Sequence, residues 1–409
     1  MYLSNKRLKL NKNRRRSNPL RVFILLVLIG IGIYVNQVVI ADVPPLFLPT
    51  PTPTRAPESY VTDAQALENQ GKLAPAIEAY KQAILADPVN TGNYISISRL
   101  MIYLGDYEGA IENASNALLI NENNAMAYAL RGWAQGLSGD YLNGIGSLKR
   151  AIELDPNNHV PYAYLAEIYG LQYSVSPTLV GVIDNAIANS QKARDLSPNS
   201  LETHRARGYI FELVGSYGEA IQEYAAAIQI NKYIPSLHMS IGRVYNYPDV
   251  GEYERAVESF LEADLLNPSD PRPDIYLSRV YQSQGSYAQA IQYAEKAIVD
   301  DPEDPYLYGN LGVLYYRNFD YKNAIKYLRL VIQGGTSDSG VAIEALPLDY
   351  GTISQYYQVY GLTLARSGEC QEAMKISESL IKNVGNDEIT VYNATEMVNI
   401  CTGVSSEGK

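Results

Sequence analysis

From Glu58 onward, apolar and small residues recur three or four positions apart in stretches that come in pairs. In "YEGAIENASNALLI" from Tyr107, Ala110, Ile111, Ala114, Ala117 and Leu118 share one face, which predicts an amphipathic helix. A short break separates the members of each pair, and its sequence repeats. "GDYEGAI" from Gly105 returns as "GDYLNGI" from Gly139, "GSYGEAI" from Gly215, "GEYERAV" from Gly251, "GSYAQAI" from Gly285 and "FDYKNAI" from Phe319. Gly71, Gly105 and Gly139 stand 34 residues apart, and so do Gly251, Gly285 and Phe319. A catalytic loop is normally needed once, so this recurrence points to architecture.

Each recurring residue has a physical reason. Glycine ends the first helix because a left-handed residue there satisfies the last carbonyls without a side-chain clash. Small residues let neighbouring helices approach closely, as at Ala76 and Ala83, Ala110 and Ala117, Ala220 and Ala227, Ala256 and Ala263, and Ala290 and Ala297. Proline closes the unit at Pro88, Pro156, Pro198, Pro268 and Pro302, where it cannot continue the second helix.

These residues resemble the tetratricopeptide repeat, whose pattern is an aromatic at position 4, Gly or Ala at 8, Ala at 20, an aromatic at 24, Ala at 27 and Pro at 32. The first unit supplies Tyr60, Ala64, Ala76, Tyr80, Ala83 and Pro88; the third, Tyr128, Gly132, Ala151 and Pro156; the eighth, Tyr308, Gly312 and Ala324. The resemblance implies an all-α, right-handed α-solenoid of about nine helix-turn-helix units over residues 58–385. Three units depart from the spacing. The fourth has eight extra residues around 171–178, the sixth two near "NYPDV", and a further fifteen fall in Gly334–Gly351; all three are expected to bulge as surface loops.

Residues 386–409 are expected to form a capping helix and tail. Cys401 would end that helix close to Cys370, which begins the helix beside it. In an oxidising compartment this geometry suggests a disulfide; two buried, unlinked thiols are the alternative.

The N-terminal part is organised differently. Residues 1–21 carry eight Lys or Arg and no acid, and residues 22–41 are apolar except for Asn36 and Gln37. The apolar run predicts a transmembrane helix with its basic flank in the cytoplasm and the solenoid on the exported side. A signal peptide cleaved near Ala41 is the alternative, since Val39 and Ala41 are small. Residues 42–57, rich in Pro and Thr, predict an extended spacer.

Composition sharpens this picture. With 33 bases and 44 acids in total, removing the eight N-terminal bases leaves 25 against 44, a net charge of −19 on the remainder. Tyrosine numbers 35 against 5 Phe and 1 Trp, which suggests repeated half-buried sites needing both a ring and a hydroxyl. Catalytic patterns are missing: His159, His204 and His238 have no metal-ligand spacing, and neither a phosphate-binding loop nor a G-x-S-x-G elbow occurs. The sequence therefore predicts a non-enzymatic scaffold with no cofactor, no metal and no nucleic-acid partner.

Function is expected on the concave face, which in the resembling family is lined by the first helix of each unit. Position 9 there holds Arg99, Trp133, Tyr209, Arg243 and Arg279, with Tyr164, Arg205, Tyr276, Asn310 and Arg317 nearby. Arg and aromatic side chains are frequent binding hot spots, and a row of Arg on an acidic domain predicts an acidic peptide or terminal carboxylate as ligand. A carbohydrate stacked on the aromatic residues is the alternative, as is an accessory role in an envelope enzyme complex.

Overall fold

The computed structural model describes residues 18–35, 37 and 55–403. The chain divides into an N-terminal unit ending at Thr54 and a second unit from Arg55 onward. In the first, α1 spans Pro19–Tyr34, begins three residues before the expected span, and leaves its apolar side chains exposed on every face. At 16 residues it rises about 24 Å, short of the roughly 30 Å of a hydrocarbon core. Among the described residues no helix is long and apolar enough to cross a membrane. Residues 36 and 38–41 of the expected span, like 1–17, 42–54 and the tail 404–409, lie outside the described residues.

The second unit is a stack of helical pairs: α2 (Pro57–Glu68) with α3 (Leu73–Ala86), α4 (Thr91–Leu104) with α5 (Tyr107–Ile120), and α6 (Ala125–Leu137) with α7 (Tyr141–Leu154). It continues through α8 (His159–Val175) with α9 (Val182–Leu196), α10 (Leu201–Leu213) with α11 (Tyr217–Ile230), and α12 (Pro235–Tyr245) with α13 (Tyr253–Leu266). The last pairs are α14 (Pro271–Ser283) with α15 (Tyr287–Asp300), α16 (Pro305–Arg317) with α17 (Tyr321–Gln333), and α18 (Thr352–Arg366) with α19 (Cys370–Val384); α20 (Glu388–Thr402) then packs on α18 and α19.

Local chemistry starts and stops these helices. Side chains of Asn90, Asn124, Asn158, Ser200, Asp270 and Asp304 each accept a backbone N–H two or three residues on, capping the first helix of their units. Ala76, Ala83, Ala110, Ala117, Ala220 and Ala227 have no exposed surface, because the paired helices leave no room for more than a methyl group. Between α6 and α7 even a methyl is too large: a Cβ on Gly132 would lie 2.7 Å from the Gly144 carbonyl oxygen.

The insertions differ from simple loops. Extra residues in the fourth unit lengthen α8 to 17 residues before the turn at 176–181. Those in the sixth shorten α12 to 11 residues and open the connection 246–252. After α17 the chain forms a small antiparallel hairpin, β1 (Gly335–Thr336) paired with β2 (Ala342–Ile343). It is pinned rather than free, with Ile343 buried, Leu346 N donating to the Val331 carbonyl at 2.8 Å and Tyr357 Oη donating to the Leu346 carbonyl at 3.0 Å. Ile343, with Val341, Leu346 and Leu348 packed beside it, is what holds this segment against the core.

The stack also closes on itself, which the repeat pattern does not foretell. α12 meets α4, Asn267 Nδ2 donates to the Leu104 carbonyl at 3.1 Å, and the Tyr233 ring sits so close over Gly71 that an added Cβ would lie 2.4 Å from it. Cys370 and Cys401 are bonded, with Cα atoms 5.4 Å apart, and tie α19 to α20.

Candidate functional site

The inner helices α4, α6, α8, α10, α12, α14, α16 and α18 carry every predicted groove residue, but self-closure divides those residues into two groups. Trp133 and Tyr164 are almost fully buried and stack at 4.3 Å between ring centroids, with Tyr103 edge-on to Trp133 at 6.3 Å. The Arg205 guanidinium lies 4.0 Å over the Trp133 ring and is 6% exposed. Glu167 ties the cluster together, accepting from Trp133 Nε1 at 2.8 Å and Arg205 Nε at 2.7 Å. Burial pulls the Arg205 guanidinium down, but Glu167 beside it, with Tyr164 and Tyr103, more than offsets this and holds it protonated. Trp133 is 3% exposed, so little of its ring is open, and what is open borders a cavity of about 340 Å³ shared with Arg205 and Tyr209.

Arg99 and Arg243 are likewise engaged. Arg99 lies 3.7 Å from Glu68, and Arg243 grips Glu212 through Nε at 2.5 Å and a terminal nitrogen at 2.8 Å. The outer helices complete these contacts, with Tyr80 Oη donating to Glu68 at 2.6 Å and Tyr224 Oη to Glu212 at 2.9 Å. Tyr rather than Phe at these positions follows directly: the ring fills the helix junction while the hydroxyl reaches a carboxylate. Burial, with the adjacent Glu68, pushes the Tyr80 hydroxyl up to about 12.

The sixth unit breaks this arrangement. Where the first and fifth units have Glu68 with Tyr80 and Glu212 with Tyr224, the sixth has Asn246 with Phe260. Phe260 stacks on Tyr276 at 5.0 Å and supplies no hydroxyl, while Asn246 offers no charge. Arg279, the next residue in the row, is exposed and lies over Tyr276 at 5.6 Å. Neither Arg279 nor Arg317 has a carboxylate partner among the described residues. Both line a cleft of about 570 Å³ with Asn310, Ser278, Gln282 and Gln355. Asn310 already accepts Tyr356 Oη at 2.9 Å, leaving its amide N–H groups available. Arg317 and Gln355 also border a second depression of about 580 Å³ beside α20, walled by Tyr316, Tyr350 and Ile389. A smaller cavity of about 340 Å³ holds Tyr209, Tyr276, Arg205 and Arg243. Burial pushes the Tyr209 hydroxyl up to about 12.

The arrangement therefore brings Arg279, Asn310 and Arg317 to one open cleft and places Trp133, Tyr164 and Arg205 in the core. Sequence reasoning missed Glu68, Glu167 and Glu212. The signal was present: Glu68 precedes Arg99 by 31 residues and Glu212 precedes Arg243 by the same interval.

Beside the cleft, Asp264, Asp274 and Asp300 surround Lys296, whose Nζ donates to Asp264 at 2.7 Å and to Asp274 at 3.3 Å. Asp274 has no exposed surface, and burial, opposed by Lys296, pushes its carboxyl up to about 7 from the ordinary 3.8. Asp300 is raised for the same reason. Because the folded value lies above the unfolded one, Asp274 stabilises in full below about pH 4, and that contribution is lost as pH rises through about 7. The melting temperature is expected to fall between pH 4.5 and 7.5, and the Asp274→Asn variant to lose most of that slope; an unchanged slope would exclude Asp274 as its source.

The fold and this row of side chains define an α-helical repeat solenoid with an open cleft on its inner helices. Residues 57–90 and 277–339 match family models of the tetratricopeptide repeat. Over 194 residues the chain is 27% identical to the type IV pilus assembly protein PilF of Pseudomonas aeruginosa, covering 46% of this chain and 74% of that one. Over 146 residues it is 25% identical to anaphase-promoting complex subunit 6 of Arabidopsis thaliana, covering 34% of this chain but only 27% of that relative's length. A solved tetratricopeptide repeat protein of Parabacteroides merdae covers 63% of this chain at 14% identity with a TM-score of 0.40. The family-model matches and the two sequence relatives support the repeat class, whose members generally mediate protein–protein contacts without catalysing reactions.

Proposed function

We propose that this chain is a non-catalytic, membrane-anchored scaffold that holds an acidic peptide segment against the concave face of its seventh to ninth units. The observation that carries this reading is the pair Arg279 and Arg317, exposed cations without carboxylate partners, on one cleft with Asn310 and Gln355. A carboxylate entering there gains charge-assisted hydrogen bonds without displacing an internal ion pair. Arg99 and Arg243 are already paired and contribute little to such a ligand. The relatives' names, a pilus assembly protein and a complex subunit, favour a role in building assemblies. The basic segment 1–21 and apolar run 22–41 support an anchor with the solenoid on the exported side, and cleavage near Ala41 would instead release it.

The test is affinity capture of the full chain from its native membrane, comparing wild type with Arg279→Ala/Arg317→Ala and with Arg99→Ala. The double variant is expected to lose a defined partner by about tenfold or more, from charged hydrogen bonds of about 1.5–3 kcal/mol each. Arg99→Ala is expected to retain it, and rising salt to weaken the wild-type complex. Equal recovery by wild type and double variant would refute the cleft, and a chain found only in the soluble fraction would refute the anchor.

A further inference from the structure

Two parts of the chain that the repeat does not supply meet beside Arg317. The insertion after α17 brings Tyr350 to the start of α18, and the cap brings Ile389 to the start of α20. Both border the depression of about 580 Å³ next to α20. Arg317 and Gln355 line this depression and the cleft at Arg279 alike, so the two spaces adjoin.

The chemistry changes from one space to the other. The cleft offers two exposed guanidinium groups and the Asn310 amide. In the depression the polar floor is already spent. Gln358 Nε2 donates to Ser354 Oγ and to Thr390 Oγ1, both at 2.8 Å, so its amide has no N–H left for a ligand, and Asn393 Nδ2 donates to Gln358 Oε1 at 2.7 Å. What stays open is apolar: Tyr350 is 53% and Ile389 67% exposed, and half-buried Tyr316 shares the wall. Asp387 stands on the same wall. Its carboxylate accepts Thr390 Oγ1 and Thr390 N, bonds that hold its carboxyl below the ordinary range, so it stays ionised and repels a second acid. A peptide that sets a carboxylate against Arg317 covers the adjoining wall with its neighbouring residues. There, burial of an apolar side chain against Tyr350 and Ile389 is favourable, and a further carboxylate is not.

We propose that the cleft and the depression form one bipartite site for a peptide that carries an acidic residue and, within a few residues of it, a large apolar one. The acid lies between Arg279 and Arg317, and the apolar side chain packs on Tyr350 and Ile389. The assignment rests on Arg279 and Arg317 as the acid-binding pair and adds the second requirement that selects among acidic ligands. It also gives the insertion and the cap a common task, since each supplies one side chain of the apolar half.

The test selects from a random dodecapeptide display library on the full chain in detergent micelles, with empty micelles as the control. Enriched sequences are expected to combine Asp or Glu with an aromatic residue, Leu or Ile a few positions away. One enriched peptide, labelled with fluorescein, is then titrated by anisotropy against wild type, Tyr350→Ala/Ile389→Ala and Arg279→Ala/Arg317→Ala. Each double variant is expected to weaken binding by about tenfold or more, with an unchanged melting temperature because all four side chains are exposed. Replacing the peptide's apolar residue with alanine is expected to weaken binding to wild type equally and to cost nothing further on Tyr350→Ala/Ile389→Ala, an equality that a merely structural role for these residues would not produce. Acid-only sequences whose binding ignores Tyr350→Ala/Ile389→Ala would overturn the bipartite site and leave the cleft standing. Binding that ignores Arg279→Ala/Arg317→Ala would overturn both, as would the absence of any enrichment. Displacement of the labelled peptide by phosphatidylcholine vesicles, or self-association lost in Tyr350→Ala/Ile389→Ala, would make a lipid surface or a second copy the occupant and overturn the proposal.

Discussion

Replacing Glu167 with alanine is expected to destabilise the solenoid by about 3–5 kcal/mol, since it strands the buried Arg205 charge. The carboxylate bonds both Arg205 and Trp133, and all three side chains lie in the enclosed part of the stack. Arg205 cannot swing to solvent without breaking its contact with the Trp133 ring at 4.0 Å. Removing both charges by Glu167→Leu with Arg205→Met is expected to cost far less, because the desolvation penalty goes with the pair. Urea titration would measure the difference. Trp133 is the one tryptophan of the chain, so its emission reports the environment of this cluster directly. A single-variant loss below about 1 kcal/mol, the range of an exposed ion pair, would mean that water reaches Arg205.

The same cluster shows what the sequence conveyed and what it concealed. Helix pairing, the Gly turns and the buried Ala positions were legible because they are local: each follows from spacing and from the shape of one residue. The self-closure was not, because it depends on small rotations summed over successive units. Its contacts, Asn267 with Leu104 and Tyr233 with Gly71, link residues about 160 apart. That closure converts Trp133, Tyr164 and Arg205 from expected groove residues into core. Arg279 and Arg317 remain exposed, and for Arg279 the reason was readable in Asn246 and Phe260, where the first and fifth units have Glu and Tyr. The Gly334–Gly351 insertion lies at the surface as expected, most of its residues exposed, but a short hairpin and buried Ile343 pin it there. The positions of Ile343 and Leu346 mark a buried side, but only the wall offered by α17 and α18 gives them something to pack against.

Cys401→Ser, or reduction of the wild type, is expected to cost about 3–4 kcal/mol by the loop-closure model, for a bridge spanning 31 residues. The loss should fall on the cap rather than the whole stack, because a solenoid's stability is the sum of its units and their nearest interfaces. α20 contacts only α18 and α19 strongly, burying Ala394 and Met397 and receiving Ser377 Oγ at its Ala394 carbonyl at 2.8 Å. Hydrogen exchange should therefore accelerate across α20 and the start of α19 while α2 to α13 stay protected. Loss of α20 would also remove Asp387, Ile389 and Asn393 from the wall of the depression next to Arg317, so partner capture should weaken together with the cap. Uniform acceleration through the stack would instead make the cap part of one cooperative unit with the rest. The bond also bears on location: it persists on the exported side of a membrane and is disfavoured in a reducing cytoplasm. Thiol labelling of the chain in its native cells, before and after reduction, tests the proposed topology by a route independent of residues 22–41. Free thiols at both Cys370 and Cys401 before reduction would refute that topology.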